Sequence, residues 1–136
     1  LDIPILGICY GQQLMCKMLG GQVENSAHRE FGRAPIKIQR DSKLTEKFLL
    51  KNNKNNVWMS HGDKINQIPK GFVKVATSKN APFAFIADES RKFYGVQFHP
   101  EVVHTEKGSK LLETFSKKAT FDKAIQSIFA FKKIFI

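Results

Sequence analysis

At 136 residues, with 42% hydrophobic and 25% charged side chains, the chain has the length and makeup of one folded unit, which excludes a disordered tail and a fibre. Its longest apolar run near the C-terminus, Ile128 to Phe131, is broken at once by Lys132 and Lys133, far short of the ~20 residues a membrane-spanning helix needs. The formal charge of +10 comes from lysines and arginines scattered along the chain with no stripe of interleaved aromatics, so it is read as solvated surface charge and nucleic acid is excluded as a partner.

Leu1 to Gly7 shows neither a basic start nor an initiator Met, and reads as a chain opened inside a domain, not as a signal peptide. Ile3 to Ile8 is almost wholly apolar, which suits a strand buried on both faces. A helix is expected from Gln12 to Leu19, where Leu14, Met15, Met18 and Leu19 recur at helical spacing and Gly20-Gly21 supplies a left-handed end. Strand-like segments follow at Ala34 to Gln39, Val57 to Met59 and Phe72 to Thr77, with Lys51 to Asn56 expected as a loop. Phe83 to Ala87 and Phe93 to Phe98, joined by Asp88 to Lys92, read as a hairpin. Helices are expected over Gly108 to Phe115 and, amphipathic, over Phe121 to Phe131. The fold class is therefore α/β, a mixed or parallel sheet flanked by helices.

Two cysteines without Cys or His neighbours at zinc-ligand spacing indicate neither a disulfide framework nor a metal site, and fit a reducing, cytoplasmic compartment. Cys9 stands between Gly7 and Gly11 on the turn from the buried strand into the first helix. Such an elbow holds a nucleophile above the sheet, and a helix N-terminus favours thiolate and offers N–H groups to an oxyanion. The commoner fate of a free cysteine is a small buried hydrophobe, and that reading is kept for Cys16, deep in the helix among Leu and Met. A cysteine nucleophile needs a base and the base needs an orienting group. His99, at the end of an apolar strand, meets the first need. Pro100 keeps the chain extended, so Glu101 projects to the same side and meets the second.

Gly7-Ile8-Cys9-Tyr10-Gly11-Gln12-Gln13 together with His99-Pro100-Glu101 resembles the Cys-His-Glu signature of class I glutamine amidotransferases. Three further stretches, His28 to Gly32, Trp58 to Asp63 and Tyr94 to Thr105, resemble the amidotransferase domain of glutamine-hydrolysing GMP synthases. The resemblance covers residues 1–115, the C-terminal part of such a domain, and leaves 116–136 as a divergent helical tail open to three readings: a surface helix, a partner-binding helix or a basic membrane contact. It implies Cys9 as nucleophile, His99 as base and Glu101 as its orienter. It further implies a glutamine site built from the Tyr10 backbone N–H, Gly11, Gln13, and the main chain of Ser60, His61 and Gly62. His61 and Asp63 have a second reading as turn formers in a glycine-containing loop. No cofactor is implied for this chain. The partner would be an ATP- and magnesium-dependent synthetase domain or subunit that aminates xanthosine monophosphate, and no P-loop-like run occurs here. The domain is expected to be incomplete: the family's earlier strands, with a glycine-rich loop that resembles the second oxyanion donor, precede the first residue, which implies impaired turnover. The alternatives are an amidotransferase feeding another synthase and a catalytically silent docking module.

Overall fold

The computed structural model describes residues 3–48 and 54–118. Six strands and two helices follow in the order β1 (Ile5–Ile8), α1 (Tyr10–Met18), β2 (Gln22–Ile38), β3 (Lys54–Gln67), β4 (Val73–Thr77), β5 (Phe85–Asp88), β6 (Phe93–Val96) and α2 (Gly108–Lys118). The strands form one mixed sheet in the order β1-β6-β5-β4-β2-β3, in which β1 runs parallel to β6 and the other pairs are antiparallel.

Period-two alternation in the short apolar strands sorts side chains to the two faces. Leu6, Phe85, Ala87, Tyr94 and Val96 face one way, into a core shared with Phe48, Phe98, Leu111 and Phe115, the last two from α2. Ile5, Ile86 and Phe93 face the other way, toward Met15 and Cys16 of α1. Strands that must be apolar on both faces read as unbroken hydrophobic runs, which is why these were legible as strands. The α1 helix ends as its glycines suggest: Gly20 takes φ +98°, and the Gly21 N–H donates to the Cys16 carbonyl at 2.7 Å. Gly20 alone carries the left-handed conformation.

Several expected boundaries are corrected. The strand expected over Ala34 to Gln39 begins at Gln22, and the one expected over Val57 to Met59 runs from Lys54 to Gln67. Residues 22–33 are mostly exposed and show no apolar alternation, so only the backbone ladder between β2 and β3 marks them as strand. Within the expected loop at Lys51 to Asn56, the last three residues are paired to Lys37, Ile36 and Pro35. Asn55, a poor strand former, is buried there and donates its amide to the Phe48 carbonyl at 2.6 Å. Ser60 to Asp63 also lies inside β3, not in a loop, opposite a register shift between Asn25 and Glu30 of β2. The helix at Gly108 continues through residue 115 to Lys118, so the division at 116 is not marked by a helix end. The expected helix over Phe121 to Phe131 lies outside the described residues. Among the described residues no helix is long and apolar enough to cross a membrane.

Candidate active site

Cys9 is the N-cap of α1 and takes φ 53°, ψ −109°, a left-handed conformation that is costly for a residue with a Cβ. What holds it there is the strand before and the helix after. The Cys9 N–H donates to the Val96 carbonyl at 2.7 Å, and the Gln13 N–H donates to the Cys9 carbonyl at 3.3 Å. Gly7 is required by close approach: a Cβ there would stand 2.8 Å from the Gln12 nitrogen and from the Gly11 carbonyl. Gly95, its register partner on β6, has the same constraint against the Gln12 side chain at 2.6 Å. The two glycines let α1 settle directly onto β1 and β6, which places the half-buried Cys9 sulfur at the C-terminal ends of those strands.

His99 arrives at the sulfur from the loop after β6. Its backbone N–H donates to the Trp58 carbonyl at 2.9 Å, and its carbonyl accepts the Thr105 hydroxyl at 2.6 Å. Thr105 Oγ1 in turn accepts the Trp58 N–H at 2.9 Å, so one buried hydroxyl clamps the His99 loop to β3. His99 Nδ1 and Glu101 Oε1 are 2.8 Å apart, as the two-residue spacing suggests. The route differs from the expected one, because the chain turns after Pro100 and does not stay extended. The Thr105 clamp closes that turn. With Nδ1 taken by Glu101, Nε2 is the nitrogen left for Cys9.

The contact with Cys9, and then that with Glu101, raises the His99 pKa from 6.5 to about 9 against the opposing effect of burial. A raised folded-state value means that the protonated ring stabilises the fold. That contribution is fully present below pH 6.5 and is lost as pH rises through about 9. Thermal unfolding followed from pH 6 to 10 is expected to show a steeper loss of stability across this window in the wild type than in His99→Gln; parallel curves would remove the imidazolium from this position.

The other anticipated residues fall into two groups. Tyr10 opens α1 with an exposed side chain and Gly11 is buried beside it. Ser60 presents its carbonyl to the Cys9 thiol, which donates to it at 3.4 Å. Gln13 and His61 are buried and share an anchor, the Asp63 carbonyl, which accepts from Gln13 Nε2 at 3.0 Å and lies 2.8 Å from His61 Nδ1. His61 Nε2 is 3.3 Å from Glu30 Oε2, close enough for an ion pair, yet neither atom has hydrogen-bond geometry. Gly62 faces the aliphatic part of Arg29 at ordinary contact distance, so space does not demand a glycine there. Two residues of the site were not singled out from the sequence: Thr105, which holds the His99 loop, and Gln97, whose Nε2 donates to Cys9 Sγ at 3.6 Å. A glutamine between Val96 and Phe98 in a wholly buried run was the available signal. Cys16 is fully buried, and burial pushes its thiol up to about 12.

Residues 1–119 match the family model described as glutamine amidotransferase class-I. A relative named GMP synthase [glutamine-hydrolyzing] from Rhizobium johnstonii is 53% identical over 131 residues, which is 96% of this chain and 25% of the relative. One of the same name from Allorhizobium ampelinum is 60% identical over 113 residues, 83% of this chain and 22% of its own length. The chain thus spans about a quarter of the curated relatives it matches. A solved structure from Thermoplasma acidophilum, described as one subunit of a GMP synthase, superposes with a TM-score of 0.81 at 29% identity, covering 93% of this chain and 62% of that one. The family match over residues 1–119 and the shared three-dimensional fold agree, and the chain belongs to the class I glutamine amidotransferases.

Proposed function

We propose that this chain hydrolyses glutamine at Cys9 and supplies the ammonia for amination of xanthosine monophosphate to GMP. The observation that carries the reading is Cys9, held at positive φ at the start of α1, against His99 whose other ring nitrogen is 2.8 Å from Glu101. Cys9 Sγ, its proton already passed to His99, whose ring holds it up to about pH 9, attacks the side-chain amide carbon of glutamine. The carbon–nitrogen bond then breaks as His99 returns that proton to the departing nitrogen, leaving ammonia and a glutamyl thioester. Water adds to the thioester carbon with His99 as base, and Sγ departs with the proton to give glutamate. Negative charge on the amide oxygen would be met by the Tyr10 N–H, at the positive end of the α1 dipole. Gly11, Gln13, Ser60, His61 and Gly62 would form the rest of the glutamine site, with β3 presenting its main chain to the amino-acid end.

The acceptor rests on the relatives' names and on 53% and 60% identity over the matched residues. In this reading ATP and magnesium belong to a synthetase domain or subunit whose substrate is xanthosine monophosphate. No step at Cys9 passes through either group, and among the described residues no three His, Cys, Asp or Glu side chains group to hold an ion. A cytoplasmic setting accompanies the purine-nucleotide reaction.

The test is labelling by a glutamine-mimicking diazoketone followed by peptide mapping. Modification is expected at Cys9 alone, because Cys16 is buried and, with its thiol at about 12, stays protonated near neutral pH. Equal labelling of the two cysteines, or preference for Cys16, would overturn the assignment.

A further inference from the structure

Gln97 and Gln13 are both buried, from the β6 end and from α1, and their amides meet: Gln13 Nε2 donates to Gln97 Oε1 at 3.1 Å. Gln97 Nε2 then donates to Cys9 Sγ at 3.6 Å. A side-chain amide can be turned end for end, so its orientation has to be decided by a neighbour whose polarity is fixed. Here that neighbour is the backbone carbonyl of Asp63, which can only accept. It faces Gln13 at 3.0 Å and therefore requires the nitrogen end of that amide. The remaining N–H of Gln13 Nε2 requires the oxygen end of Gln97, and Gln97 is left with its nitrogen toward the sulfur.

We propose that this chain of forced choices is a relay that aims an N–H donor at the nucleophile, with Gln97 as the donor and Gln13 as the positioning residue behind it. The proposal rests on the reading of Cys9 as nucleophile. Besides His99, Cys9 has two polar neighbours of opposite preference. The Ser60 carbonyl at 3.4 Å accepts from the thiol and has nothing to offer the thiolate, whereas the Gln97 N–H at 3.6 Å interacts better with the thiolate than with the thiol. When His99 takes the proton, the Ser60 carbonyl is left without its donor and the Gln97 interaction strengthens. Were Gln97 turned over, two carbonyl oxygens would face the sulfur and oppose its charge. Gln13 prevents this without touching the sulfur itself.

The experiment is alkylation of this chain by iodoacetamide, read at Cys9 and Cys16 by peptide mapping from pH 6 to 10. Gln97→Met is expected to slow modification of Cys9 about ten-fold at pH 7 and to move its pH profile upward by about one unit, the size of one charge-assisted hydrogen bond. Gln13→Met, which leaves Gln97 in place but free to turn over, is expected to move the profile the same way by a smaller amount. A residue that only fills space would not do so. Cys16 reports the fold and should stay unmodified. An unchanged Cys9 profile in either variant with Cys16 protected overturns the relay. If Gln97→Met exposes Cys16, Gln13→Met decides, and exposure of Cys16 in both would make the pair a packing element and also overturn the relay. Iodoacetamide needs no glutamine pocket, so failure of diazoketone labelling leaves this test intact and the two readings fail separately.

Discussion

Replacing Cys9 by alanine is expected to lower glutamine-dependent ammonia release by ~10⁴-fold or more, because an amide carbon has no other nucleophile placed against it. The substitution is clean in structural terms. Alanine carries the same Cβ as cysteine, so the φ of 53° is no more strained than before, and only the sulfur's interactions with Ser60, Gln97 and His99 disappear. In an enzyme assembled with its synthetase part, amination of xanthosine monophosphate by added ammonium should be nearly unchanged, since the thiol serves only to generate ammonia. Measuring both reactions on one preparation separates chemistry from folding. Equal loss of the ammonium-driven reaction would mean that Cys9 supports the structure and not the hydrolysis.

His99→Ala is expected to reduce the same glutaminase turnover by ~10²–10⁴-fold, the usual worth of a placed acid–base group, with the glutamine KM little altered. His99 has to accept the thiol proton and return it to the departing nitrogen, and no other described imidazole contacts Cys9. Glu101→Gln should cost less. Its amide oxygen can still accept from Nδ1, which keeps the ring oriented, while the negative charge that steadies the imidazolium is lost. The diagnostic is therefore an order of kcat values: wild type, then Glu101→Gln, then His99→Ala. A larger loss for Glu101→Gln would reverse the roles given to the two residues. A rise in KM with kcat unchanged in His99→Ala would make it a binding group.

Cys9, His99 and Glu101 were legible in the sequence because each announces itself locally: a cysteine between glycines where a buried strand meets a helix, and a histidine with a glutamate two positions on. The buried strands β1, β5 and β6 were legible for a related reason, since a strand covered on both faces must be apolar throughout. That Glu101 would meet His99 was anticipated, but through an extended chain. The observed turn after Pro100 is set by Thr105, a contact between residues that sequence spacing does not advertise.

The long hairpin of β2 and β3 lay beyond the sequence in another way. Its outer residues are polar and exposed, so nothing in their own composition distinguishes strand from loop, and pairing with the partner strand decides. That pairing puts Ser60 to Asp63 on a strand beside the elbow and so brings the Ser60 and Asp63 carbonyls to Cys9 and Gln13. By itself the sequence determined which atoms are able to react, because nucleophile, base and orienting acid are properties of residue type and short spacing. The tertiary structure alone decided how those atoms are aimed, because the orientation of a buried amide or of a histidine loop depends on hydrogen-bond partners that arrive from distant strands, and an amide has no preferred end until a fixed carbonyl chooses one.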